Sequence, residues 1–303
     1  PGARNFHSLS WSFRNLATSC RMGINMKYAL FTDNLADLDI ERVCREVKKR
    51  GFDGIDLTLR PGGHVRPENA EMGLSQAHQV AMKVGVEILM ASTAISSTNS
   101  PHARDVIRAC AHYGVRQIKL GYWPYRPFGT LLKQIDAARR NLEGLIKLTS
   151  RNGIQPCVHV HSGQVLANGG SILYLILKDF DPKSVGAYVD PMHMTVEGGL
   201  SGWEMGLELV APWLSLVGVK NFHWKSTGRD KSGQMQFRTE YVPLADGQAP
   251  LPRFMKRLEG LKYNGTVSLH SEYKGGSSFR SLSSTELLEQ SAVDLKYLKR
   301  VAK

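Results

Sequence analysis

The chain has 303 residues, 42% of them hydrophobic and 22% charged, which excludes a disordered or collagen-like protein and fits a globular fold. Thirty-nine Lys and Arg against 27 Asp and Glu leave a net charge of +12, favouring anionic partners such as sugar phosphates, acidic sugars or nucleic acid. No apolar run reaches the roughly 20 residues a bilayer-crossing helix needs, so no membrane association is expected.

Residues 1–25 contain three Arg and no Asp or Glu and read as an N-terminal extension. They suit either the mature end left by an export signal or a trimmed end, which leaves the compartment open between cytoplasm and export. Residues 26–303 follow a repeating order of helix, glycine and strand. Tyr28–Phe31 reads as the first strand. Glu41–Arg50 is helical, with Ile40, Val43 and Val47 on one stripe; Gly51 stops it and strand Asp53–Leu59 follows. The unit recurs as Pro67–Lys83 with Val86–Met90, Ser100–Tyr113 with Val115–Leu120, and Leu131–Arg151 with Ile154–Val160. It continues as Ile172–Lys178 with Val185–Val189, Trp203–Leu214 with Leu216–Val219, and Pro252–Lys262 with Val267–Leu269. Ser284–Lys299 closes the chain.

Eight strands alternating with helices imply a parallel sheet closed into a single-domain (β/α)8 TIM barrel. An open doubly wound sheet would be the alternative, but no G-x-G-x-x-G opens an early helix. Ser226–Gly247 is polar and longer than a usual connection, as expected of a lid or substrate wall. Cys20, Cys44, Cys110 and Cys157 form no C-x-x-C pair and read as free thiols.

Active residues of such barrels come from the C-terminal ends of strands. Strand two puts Asp56, Thr58 and Arg60 on the inward face, and Pro61-Gly62-Gly63 carries His64 on a shaped turn. Arg60 and His64 are candidate substrate-binding groups, whereas Asp56 reads as paired with an internal cation such as Lys119 or Lys220. His159 and His161 share the inward face of strand five. Asp190-x-x-His193 follows strand six, and Glu272 ends strand eight with His270 one layer deeper. A mixed His and carboxylate set suits zinc, manganese or cobalt, and a metal-free acid–base site is the alternative. Strand seven allows two registers. If it ends near Lys220, Gly218 and Lys220 point inward; if it runs on, His223 becomes a metal ligand.

Several stretches resemble the xylose-isomerase-like barrel superfamily of sugar phosphate isomerases and epimerases, which also contains endonuclease IV-type enzymes. They are Gly51-Phe52-Asp53-Gly54-Ile55-Asp56-Leu57, Asp190-x-x-His193, Val219-Lys220-Asn221-Phe222, Pro243-Leu244-Ala245-Asp246-Gly247, and Tyr263 through Glu272. The resemblance implies a divalent metal held by Glu after strand five, Asp after strand six, His on strand seven and Glu after strand eight. Asp190 and Glu272 match that pattern, and His193 matches the His beside the substrate. His159 stands where the first Glu is expected, and Gly218 where the strand-seven His is expected.

The first expectation is a metal-dependent isomerase or epimerase of a sugar, sugar phosphate or sugar-derived acid. Glu272, His159 and Lys220 would be catalytic; Arg60, His64, His161 and His193 would bind substrate; His159, Asp190, Glu272 and His223 would hold metal. A dehydratase or lyase on a polyol ketone is the runner-up, followed by a non-catalytic sugar-binding barrel. An endonuclease IV-like phosphodiesterase ranks last, because too few carboxylates stand at the strand ends for three metals, and nucleic acid is disfavoured as a partner. The resemblance also implies a homodimer or tetramer.

Overall fold

A computed structural model describes residues 26–303; the expected N-terminal extension and Cys20 lie outside them. Eight parallel strands close into a barrel: β1 Lys27–Phe31, β2 Gly54–Leu59, β3 Glu87–Thr93, β4 Gln117–Lys119, β5 Gln155–His159, β6 Gly186–Val189, β7 Leu214–Val219 and, after a hairpin, β10 Thr266–Leu269. β10 pairs with β1 and β7 in parallel register and completes the ring.

Eight helices surround it: α1 Ile40–Lys49, α2 Ala70–Val84, α3 Ala103–His112, α4 Leu131–Ser150, α5 Gly169–Leu177, α6 Pro191–Val210, α7 Leu251–Gly260 and α8 Ser284–Val301. Local chemistry starts and stops them. Asp39 caps α1 by accepting from Arg42 N at 2.7 Å, and Val43, Cys44 and Val47 form its buried stripe. Gly85 ends α2 at φ 76°, in the left-handed region. Ser283 and Glu286 close a reciprocal capping box on α8. Outward strand residues such as Ile55, Leu57, Val158, Ala187, Val217 and Val267 bury against these helices. Met90, Cys157, Tyr188 and Leu216 form a second, smaller apolar cluster inside the ring. No described helix is long and apolar enough to cross a membrane.

Two elements differ from the sequence expectation. The polar stretch at Ser226–Gly247 is not a loop. β8 Asn221–Arg229 and β9 Met235–Val242 pair as an antiparallel hairpin rising from the barrel mouth. The second is α6, which begins at Pro191 rather than Trp203. Pro191 at its first position and Asp190 as its cap start the helix. Three glycines at 198, 199 and 202 hid its first half, and Gly199 interrupts it at φ 61°.

Candidate active site

β7 ends at Val219, and the next residue, Lys220, turns into the barrel mouth. This settles the register of strand seven. Gly218 faces the ring of Tyr188, and a Cβ there would meet it at 3.2 Å. His223 lies out on the hairpin, where Nε2 bonds Glu240 Oε2 at 2.9 Å; it is not at the mouth, so the expected ligand set loses it.

A cavity of about 140 Å³ opens at the C-terminal end of the barrel, lined by Arg60, Lys119, His159, His161, Lys220 and Glu272, with Phe31, Ser92, Tyr122, Tyr188 and His270 completing its wall. Five of the nominated residues therefore share one space. Asp190 and His193 stand beside it, buried at the start of α6. His64 is the exception among the substrate candidates. Its ring bonds the Leu38 carbonyl at 3.2 Å and approaches Thr58 Oγ1, and it does not line the cavity. Asp56 pairs with neither lysine: Oδ2 accepts from Ser268 Oγ at 2.9 Å.

Arg60 is fixed by Asp33 at 2.6 Å and lies over the Phe31 ring. Lys220 Nζ donates to Glu272 Oε1 at 2.9 Å and faces the Tyr241 ring. Burial works against the charge on Lys220, but Glu272, Tyr241 and Asp190 outweigh it and hold the ammonium above its ordinary value. Burial likewise opposes the Glu272 carboxylate, and the adjacent Lys220, helped by His270, brings its pKa below the usual range. Both groups stay charged at neutral pH.

Burial, with Lys119 and neighbouring imidazoles adding to it at His159, and Lys220 and neighbouring imidazoles at His193, holds both rings well below the ordinary imidazole value; burial and Lys220 bring His161 to about 4. All three are neutral, and the hydrogen bonds decide where two of them carry their proton. His161 Nδ1 lies 2.8 Å from the Ser162 carbonyl, which can only accept, so its Nε2 is bare. The Ser162 backbone N–H donates to His193 Nδ1 at 3.2 Å, so the proton of that ring is on Nε2. His159 Nδ1 shares a 3.0 Å bond with the Tyr122 hydroxyl, and its ring stacks on Tyr188.

Asp190 Oδ1 caps α6, accepting from Met192 N at 2.8 Å and His193 N at 3.3 Å. Its Oδ2 is buried without a partner, as are His159 Nε2 and His193 Nε2, which lie 4.0 and 3.9 Å from it. Burial raises the Asp190 carboxyl to about 6.

These donors fit a divalent metal poorly. Of the expected ligands, His223 is outside and Lys220 occupies Glu272 Oε1, and the neighbouring His193, with its proton on Nε2, offers no lone pair in their place. Among the described residues, no group of three or more His, Cys, Asp or Glu is arranged to hold an ion.

Sequence reasoning passed over Lys119 and Tyr122 as functional groups. Lys119 follows from the register of β4, since Ile118 packs outward against the helices and its neighbour must point inward; Tyr122 lies in the connection after the strand, where the sequence carried no such signal.

No curated protein matches this chain. Solved structures share its fold at low identity. A D-psicose 3-epimerase from Clostridium cellulolyticum H10, with D-tagatose, superposes at a TM-score of 0.65 and 16% identity, covering 92% of this chain and 100% of that one. The probable 3-DHS dehydratase of petrobactin synthesis from Bacillus anthracis gives 0.65 and 15%, covering 90% and 99%. A xylose isomerase-like barrel from Mycobacterium smegmatis, in complex with magnesium, gives 0.66 and 16%, covering 92% and 98%. The sequence itself matches the family described as xylose isomerase-like TIM barrel over residues 44–300. Since that stretch holds seven of the eight barrel strands and the polar cavity at their ends, the chain belongs to the xylose isomerase-like TIM barrel family.

Proposed function

We propose that this barrel is an isomerase or epimerase that moves a proton at a carbon beside the carbonyl of a polyhydroxy substrate: a sugar, a sugar phosphate or a sugar-derived acid. The observation that carries this reading is the Lys220–Glu272 pair at 2.9 Å in the cavity wall. It places a carboxylate base and a hydrogen-bond donor side by side, as abstraction of a C–H next to a carbonyl requires. Glu272 takes the proton. The Lys220 ammonium donates to the oxygen on which negative charge develops, with Arg60 as a second cation in the same wall. His159, neutral and bonded to Tyr122, is positioned to move a proton on another side of the substrate. His161 offers a bare Nε2 to a substrate hydroxyl, while His193, buried beside the cavity, turns its Nε2–H toward Asp190 Oδ2.

The test is deuterium uptake from D2O, followed by NMR, across ketoses, their phosphates and the corresponding keto acids. Isomerase or epimerase chemistry predicts exchange at the carbon beside the carbonyl, with a new stereoisomer or positional isomer. The structural likeness to a dehydratase makes water loss with a conjugated product the second outcome to score. Absence of exchange with every compound in the panel contradicts the proposal.

One observation favours a metal reading, with zinc, manganese or cobalt: Asp190 Oδ2 and His159 Nε2 are both unpartnered, 4.0 Å apart. These are two donors, fewer than the three or four protein ligands that ordinarily hold such an ion. Weak or absent retention of metal after dialysis is therefore expected, with no rise in melting temperature on adding manganese, zinc or cobalt. A stoichiometric metal content would restore the metal-dependent mechanism.

A further inference from the structure

Lys119 ends β4 with its side chain turned into the cavity, only 4% of the residue exposed. A buried ammonium ordinarily has a carboxylate or several acceptors around it. Among the described residues Lys119 Nζ has neither: no hydrogen bond and no ion pair engages it, and its nearest characterised contact is the face of the Tyr122 ring at 3.7 Å. Two other cations, Arg60 and Lys220, line the same small space, and each has its own carboxylate, Asp33 and Glu272. Lys119 is thus the cation of the cavity without a counter-ion, facing the volume that a substrate would fill.

We propose that the ε-amine of Lys119 is a nucleophile that captures the carbonyl carbon of a small aldehyde or ketone as an imine. A lysine that is desolvated and set beside other cations is the arrangement that yields a reactive amine near neutral pH. Burial, with Arg60 adding to it, brings this amine down to about 7, although Asp56 and Asp33 pull the other way. In the reaction the amine lone pair forms a C–N bond to the carbonyl carbon. The carbonyl oxygen takes up protons and leaves as water, and the amine nitrogen loses protons to solvent or to neighbouring groups. Amine plus carbonyl gives imine plus water, with no oxidant or reductant. Ser92 is the β3 partner of Lys119 and lines the same cavity, which puts a hydroxyl beside the carbinolamine. A protonated imine draws electrons from the adjacent C–H more strongly than the parent carbonyl. The inference thus deepens the proton transfer proposed above and rests on that reading for its carbonyl substrate.

The experiment treats the full chain at pH 7 with glycolaldehyde or dihydroxyacetone and cyanoborohydride, which reduces an imine to a stable secondary amine, and maps the adduct by peptide mass spectrometry. An ordinary lysine of pKa about 10.4 is almost wholly protonated at this pH, whereas about half of Lys119 is neutral. Lys119 is expected to label at least ~10-fold faster than exposed lysines, and Lys119→Arg to lose that adduct alone. Labelling spread over surface lysines with the Lys119 peptide unmodified overturns the proposal. Should Lys119→Arg fail to melt cooperatively, peptide-resolved labelling of the wild-type chain decides alone. Deuterium exchange separates the two readings. Exchange persisting at the wild-type rate in folded Lys119→Arg removes the imine from the reaction and leaves the proton transfer standing. Selective labelling of Lys119 with no exchange in any ketose keeps the imine and removes the proton transfer.

Discussion

Asp190 does two jobs with one carboxyl group. Oδ1 starts α6, and Oδ2 faces the neutral rings of His159 and His193. The two roles separate by substitution. Asp190→Ala removes the cap and leaves the Met192 N–H buried without an acceptor, a loss of about 1–3 kcal/mol. Asp190→Asn keeps an acceptor and removes a charge that burial already disfavours, so its stability stays within about 1 kcal/mol of wild type. Urea denaturation of the two variants checks this, and equal losses would mean that the cap is not the stabilising element. Asp190 and Glu272 were legible in the sequence because a carboxylate at the tip of an apolar strand has few structural excuses. His64 and His223 were not separable from them by sequence. Each also follows a strand, and only the turn geometry shows one ring tied to a backbone carbonyl and the other bonded to Glu240.

At the scale of elements, the departure of the chain from β7 into the β8–β9 hairpin depends on Asn221. Its Nδ2 donates to the Leu244 carbonyl at 2.8 Å, and its Oδ1 accepts from Phe222 N at 2.9 Å and Ala249 N at 2.8 Å. Gly247 packs so close to this side chain that an added Cβ would overlap it. Asn221→Ala leaves several buried backbone groups unpaired, and a loss of about 2–4 kcal/mol is expected in urea denaturation; a loss below about 0.5 kcal/mol would show that the hairpin root is held otherwise. The barrel strands and most helices were readable from the sequence because a helix stripe, a stopping glycine (51, 85, 114 and 153) and an apolar strand recur in that order. The hairpin was not. Its β8 strand is mostly exposed and polar, so the alternation that marks a half-buried strand is weak there. The first half of α6 escaped for a related reason, since its glycines oppose the helix that Asp190 and Pro191 start.

Across the whole molecule, buried neutral imidazoles make stability depend on pH. His159, His161 and His193 protonate near 6.5 in an unfolded chain but only at lower pH in the fold, near 4 for His161. Between these limits the unfolded state binds more protons, so stability falls as pH drops. Asp190 acts in the opposite sense: its pKa is raised to about 6, so between about 4 and 6 the folded state binds the extra proton. With His64 also lowered and Asp294 also raised by burial, four imidazoles oppose two carboxyls. The melting temperature is predicted to fall between pH 7.5 and pH 5, and His161→Gln to flatten that fall; a flat or rising profile would contradict the protonation states assigned to the cavity. The most direct measurement of the central claim is the rate of deuterium uptake beside a substrate carbonyl in wild type and in Glu272→Gln, with circular dichroism and melting curves confirming that both are folded. Loss of general-base catalysis predicts a fall of at least ~100-fold in the variant. Exchange by Glu272→Gln at the wild-type rate would show that the Lys220–Glu272 pair only braces the barrel mouth.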